Sequence, residues 1–93
     1  MTRAPGDCNT MAEVRAGVDF LDRELIALLA ERFRYMDAAA RIKPGRNQVR
    51  DEARKQQVIA NAIAEGARHG LDPDTVGRLW DALVEASIAH ELE

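Results

Sequence analysis

Aromatic residues are scarce in this 93-residue chain: Phe20, Phe33, Tyr35 and Trp80 supply only 4% of it, against an apolar total of 46%. The apolar remainder is mostly Ala, Leu, Ile and Val, the palette of an all-helical protein, and nowhere does the strand-like alternation of period two occur. Cysteine is nearly absent. Cys8 alone cannot form an internal disulfide, which fits a reducing compartment, and with no His or second Cys nearby it reads as incidental. No stretch approaches the roughly 20 apolar residues of a membrane span. Residues 1–9 lack the apolar run of a secretory signal, so a soluble, cytoplasmic protein is expected. A net charge of −3 gives no general drive toward nucleic acid or an acidic membrane. The length suits one domain, residues 1–93, with residues 1–9 as a loose, flexible arm.

What is present in quantity is helical periodicity. From Thr10 to Lys43 the chain reads as one amphipathic helix. With Val14 placed at zero and about 100° per residue, Val18, Leu21, Leu25, Leu28, Leu29, Met36 and Ala39 fall on one stripe. Arg32 and Lys43 land near the middle of that stripe and Arg15 at its edge. Charge centred on a buried face is costly unless paired, and Arg or Lys is almost never fully buried alone. For one such residue, snorkelling of the side chain out of the core is an equal account. Two centred cations with a third at the rim point instead to an anion-binding site.

Thr10-Met11-Ala12-Glu13 has the form of a capping box, and Pro44-Gly45 stops the helix. At about 1.5 Å per residue such a helix approaches 50 Å, whereas a compact chain of this length has a radius of gyration of about 12–13 Å. The far end of the stripe therefore needs a cover, and a second copy of the chain is the simplest one. An intertwined homodimer is expected.

After a polar loop, Arg46-Asn47-Gln48, a second helix is expected to start between Val49 and Glu52 and to end at His69-Gly70, with Gly70 in the left-handed position. Its weaker apolar face holds Val58, Ile59, Ala62, Ile63 and Gly66, with Asp51, Arg54 and Lys55 above Val58. Asp72-Pro73 opens a third helix as N-cap and first helical residue. Val76, Leu79, Trp80, Leu83 and Val84 form its stripe, continued by Ser87 and Glu91. The fold class is thus all-α, three helices with one very long N-terminal member.

The inward or edge polar residues are Arg15, Arg32, Lys43, Asp51, Arg54, Lys55, Ser87 and Glu91. This set is rich in cations and poor in nucleophiles. Nucleophile–base arrangements, paired acid/base carboxylates, a phosphate loop and metal-ligand spacings are all missing, so no metal is expected. His69 and His90, near helix ends, read as solvated or capping residues. The cast suits a small dianionic ligand that is held and polarised rather than attacked.

The residues Val14-Arg15, Asp22, Leu28 to Arg32, Ile42-Lys43, Val49 to Asp51 and Arg54, with Gly70 to Asp72, Trp80, Leu83 to Glu85 and Ser87-Ile88, resemble the all-helical chorismate mutases. The opening around Cys8, Tyr35 and Ala40 to Lys43 are also similar to the isochorismate-pyruvate lyase branch of that family. The resemblance implies three helices per chain in an intertwined dimer with two equivalent sites. It implies a cofactor-free pericyclic rearrangement of chorismate to prephenate. On it, Arg15 reaches one substrate carboxylate from the other chain, Arg32 holds the second, and Lys43 donates to the ether oxygen. Asp51 and Arg54 shape the pocket, and Ser87 lines the ring-carboxylate region.

Two positions depart from the common bacterial pattern. Lys55 stands where a Glu often contacts the ring hydroxyl, and Glu91 stands where a Gln often donates to the ether oxygen. A carboxylate only accepts, so Glu91 fills that part when protonated. Two other readings stay open: isochorismate cleaved to salicylate and pyruvate in the same pocket, and a non-catalytic helical dimerisation or regulatory module.

Overall fold

The Thr10 hydroxyl accepts the Glu13 amide at 3.1 Å while the Glu13 carboxylate accepts the Thr10 amide at 3.1 Å and the Asn9 amide at 3.0 Å. This reciprocal box satisfies donors that the first turn of a helix leaves without intrahelical partners. It launches helix α1, Met11–Ile42. The structure is a computed structural model describing residues 2–42, 45 and 50–92. Lys43, Pro44 and residues 46–49, on which the expected helix stop and polar loop fall, lie outside the described residues. The chain divides into two compact units, residues 1–34 and 35–93.

In the first unit, the segment before α1 is not featureless. Residues Pro5–Asp7 form a single 3-10 turn, and Arg3 pairs with Glu13 at the start of α1. Along the apolar stripe of α1, Val18, Leu21, Leu25 and Leu28 are each more than half exposed, while Leu29, Met36 and Ala39 are half-buried. Glu24, Glu31 and Arg34 are exposed too.

In the second unit, α2 (Glu52–Arg68) packs against α3 (Pro73–Glu91). Asp51 caps α2 by accepting the Arg54 amide at 3.0 Å, and Asp72 caps α3 by accepting the Thr75 amide at 3.0 Å, with Pro73 at the first helical position. The turn between them closes as a Schellman motif. Leu71 N–H donates to Gly66 O at 2.9 Å and Gly70 N–H to Ala67 O at 3.1 Å, with Gly70 at φ +79°.

The α2–α3 core is small: Val84 and Ile88 are buried, with Val58, Ile59 and Leu92 packed against them. Near the turn the helices approach closely at Gly66, where an added Cβ would come within 2.8 Å of a Val76 methyl. Leu79 departs from the expected buried stripe and is 60% exposed. It shares a face with its neighbours, but nothing in this unit lies over it. Among the described residues no strand occurs, and no helix is long and apolar enough to cross a membrane.

Candidate active site

Arg15 and Arg32 both project from α1 in the first unit. Arg15 is exposed beside the open stripe, and Arg32 is half-buried. Seventeen residues of helix separate them, about 26 Å along the axis at 1.5 Å per residue. One small dianion cannot bridge that distance, so the two arginines of a single chain cannot hold the same molecule.

The other described candidates belong to the second unit. Ser87 is 3% exposed, and its hydroxyl donates to Leu83 O at 2.8 Å, one turn earlier on α3. Glu91 follows Ser87 by four residues, on the same face, and is half-buried in the last turn of α3. Asp51 and Arg54 sit at the head of α2, both exposed. The Asp51 carboxylate is engaged in the cap, and the Arg54 guanidinium donates to Gln57 at 2.8 Å. Lys43, expected to donate to an ether oxygen, lies outside the described residues.

Lys55 is drawn elsewhere. Its side chain is 13% exposed, and its ammonium lies 2.7 Å from Glu85 and 3.1 Å from Asp81 on α3. Glu85 also takes both prongs of the Arg50 guanidinium, at 2.6 and 3.2 Å. Hydrogen bonds from Arg50 and then Lys55 hold the Glu85 carboxyl down to about 2, and the same contacts raise the Lys55 ammonium and the Arg50 guanidinium. Periodicity gave no reason to pair these residues. The available signal was that Asp81 and Glu85 recur at four-residue spacing, which puts two carboxylates on one side of α3.

His90 makes a tertiary contact that its place near a helix end does not disclose. Its Nε2 lies 2.6 Å from Asp37 Oδ1, so the residue beside Glu91 is tied to the C-terminal part of α1. An apolar cavity of about 460 Å³ between the N-terminal segment and α1, lined by Pro5, Cys8, Val14, Val18 and Leu21 among others, contains none of the eight candidates. No group of three His, Cys, Asp or Glu suited to hold a metal occurs among the described residues.

Comparison with known proteins adds a separate line of evidence. Residues 14–92 match the family described as chorismate mutase type II. The chain is 24% identical to an isochorismate pyruvate lyase of Pseudomonas aeruginosa, over 98% of this chain and 90% of that protein. It is 30% identical to the bifunctional chorismate mutase/prephenate dehydratase of Enterobacter agglomerans and 31% identical to that of Escherichia coli K12, over 86% of this chain in each case. It spans 21% of the length of either bifunctional protein.

Proposed function

The chain belongs to the chorismate mutase type II family, and on that footing we propose that it is a chorismate mutase acting as a cytoplasmic homodimer whose sites are each closed by two chains. The observation that carries the reading is the family match over residues 14–92, a span that includes all eight candidate residues. The reaction is unimolecular: the ether C–O bond of chorismate breaks as a C–C bond forms, and prephenate has the same atoms. It needs no nucleophile and no co-reactant. Preorganised charge and selection of a compact substrate conformer are what the protein supplies.

In this reading Arg32 grips one carboxylate as a bidentate fork, and Arg15 of the partner subunit grips the other. Lys43 donates to the ether oxygen as negative charge develops there, with protonated Glu91 as second donor. Ser87, Asp51 and Arg54 line the pocket, and Lys55 stands in its wall with its ammonium already occupied by Glu85 and Asp81. Two features support the dimer. The α1 stripe is open along Val18 to Leu28, and Arg15 and Arg32 are too far apart on one helix to serve one ligand. Within the dimer, residues 1–93 act as a single domain.

A second reading, cleavage of isochorismate to salicylate and pyruvate in the same cradle, is favoured by the extent of the lyase match. That match covers 98% of this chain, the segment around Cys8 included. The mutase reading assigns the protein to aromatic amino-acid synthesis, the lyase reading to salicylate synthesis. Assaying the purified protein with chorismate and isochorismate side by side tests both. Prephenate formation as the faster reaction supports the mutase, and salicylate with pyruvate supports the lyase. Turnover of neither, with no binding of a bicyclic transition-state analogue, overturns both in favour of a non-catalytic module.

A further inference from the structure

Five charged side chains join the head of α2 to the middle of α3, and all of them converge on Glu85 or its immediate partners. The Glu85 carboxylate accepts from Arg50 Nη2 at 2.6 Å, from Arg50 Nη1 at 3.2 Å and from Lys55 Nζ at 2.7 Å. Asp81, one turn earlier, takes the other side of the Lys55 ammonium at 3.1 Å, and Glu52 takes Arg50 Nη1 at 2.6 Å. The contacts from Glu85 span 35 and 30 residues of sequence, so they fix tertiary position rather than local helix.

The register gives these contacts their meaning. Arg50 immediately precedes Asp51, and Lys55 immediately follows Arg54. One carboxylate on α3 therefore holds both ends of the segment carrying the two α2 residues proposed to meet substrate. The pairing also offsets a local penalty, because Arg50, Arg54 and Lys55 crowd the N-terminal end of α2, where the helix dipole disfavours cations. We propose that Glu85 is a positioning residue, which grips Arg50 and Lys55 from α3 and so sets Asp51 and Arg54 in place for substrate. This rests on the reading of Asp51 and Arg54 as substrate-binding groups given above. Lys55 then serves the site through its place in this network, not through its own contact with ligand.

The test uses the full chain with Glu85→Gln, which removes the charge but keeps the shape. Two readouts are taken: KM and kcat with chorismate and isochorismate, and hydrogen exchange of the Arg54 amide, whose acceptor is Asp51 Oδ1. The expected result is a KM raised about tenfold with a smaller fall in kcat, and an Arg54 amide exchanging at least about fivefold faster. Arg50→Gln cuts one of the two links and should show part of both effects, and the double variant should be little worse than Glu85→Gln alone, because both lack the Arg50–Glu85 pair. Glu85→Asp, which keeps the charge, should recover part of the loss. An unchanged Arg54 amide, or single-variant effects that simply add, overturns the proposal. If Glu85→Gln does not fold, Arg50→Gln cuts the same link at its exposed end and decides the question by the same readouts. If the wild-type protein turns over neither substrate, the functional reading fails by itself. The exchange measurement then still decides positioning: faster exchange upholds it and unchanged exchange overturns it.

Discussion

His90 and Asp37 are 53 residues apart in sequence and 2.6 Å apart in space, which fastens the last turn of α3 to the C-terminal part of α1. Helix ends fray unless something holds them. Glu91, the next residue, thereby sits in a turn that is anchored despite its closeness to residue 93. Both partners are partly open to solvent, so the link contributes about 1 kcal/mol or less to global stability. His90→Asn is therefore expected to leave the melting temperature within a few degrees of wild type, while amides in the last turn of α3 exchange faster. Turnover should fall along with that protection.

Glu91 itself sets a second expectation. An ionised carboxylate only accepts, so it assists an ether oxygen only while it carries a proton, whereas an amide donates at any pH. Glu91→Gln, an obligate donor, should therefore keep or raise turnover, while Glu91→Leu, which supplies no donor, should lose about a hundredfold. Equal rates for the two variants would remove Glu91 from the chemistry.

Gly66 marks a close approach of α2 and α3. A glycine inside a helix ordinarily costs up to about 1 kcal/mol relative to alanine. Here the added methyl would meet Val76 at 2.8 Å, and such overpacking typically costs about 1–3 kcal/mol. Gly66→Ala should therefore bring no gain and should lower stability by up to about 2 kcal/mol net, as read from denaturant unfolding. Pairing it with Val76→Ala should relieve the clash, leaving only the loss of the valine methyls.

The Glu85 network fixes how stability responds to acid. Its carboxyl lies at about 2 in the folded chain, below its ordinary value of 4.5. A depressed acid contributes stability that is present above the unfolded value and lost as pH falls toward the folded one. The contribution should fade between about pH 4.5 and pH 2. Lys55 is raised, so its share holds up to its ordinary 10.5 and is lost only above that. Glu85→Gln should lower stability at neutral pH and reduce the steepness of acid unfolding, measured as the urea midpoint across that window.

Which of these features the sequence discloses follows from their range. The caps at Thr10 and Asp72 and the left-handed Gly70 are written within four residues of themselves, and all three stand where local chemistry puts them. The Asp51 cap is equally local, but the sequence reading places that residue in the pocket instead. Periodicity identifies a shared face but not whether anything lies over it. Leu79 illustrates this within α3, and Leu25 and Leu28 within α1. The pairs Arg50–Glu85 and Asp37–His90 were not legible, because period and spacing do not say which faces of two helices meet. Lys55 shows the same limit: its place on the α2 face was readable, but its carboxylate partners on α3 were not.

Arg15 and Arg32 give the most direct test, since about 26 Å of helix separates them and a shared ligand requires two chains. Arg15→Ala and Arg32→Ala should each fold, dimerise and lose at least about a hundredfold in turnover, as for other lost transition-state donors. The decisive measurement is the activity recovered when the two variants are co-refolded in equal amounts. A mixed dimer then holds one site with both arginines intact, and random pairing should restore about a quarter of the wild-type rate. Recovery to that level is the predicted result; a mixture no more active than its components, in a preparation shown to contain mixed dimers, would contradict a site shared between chains.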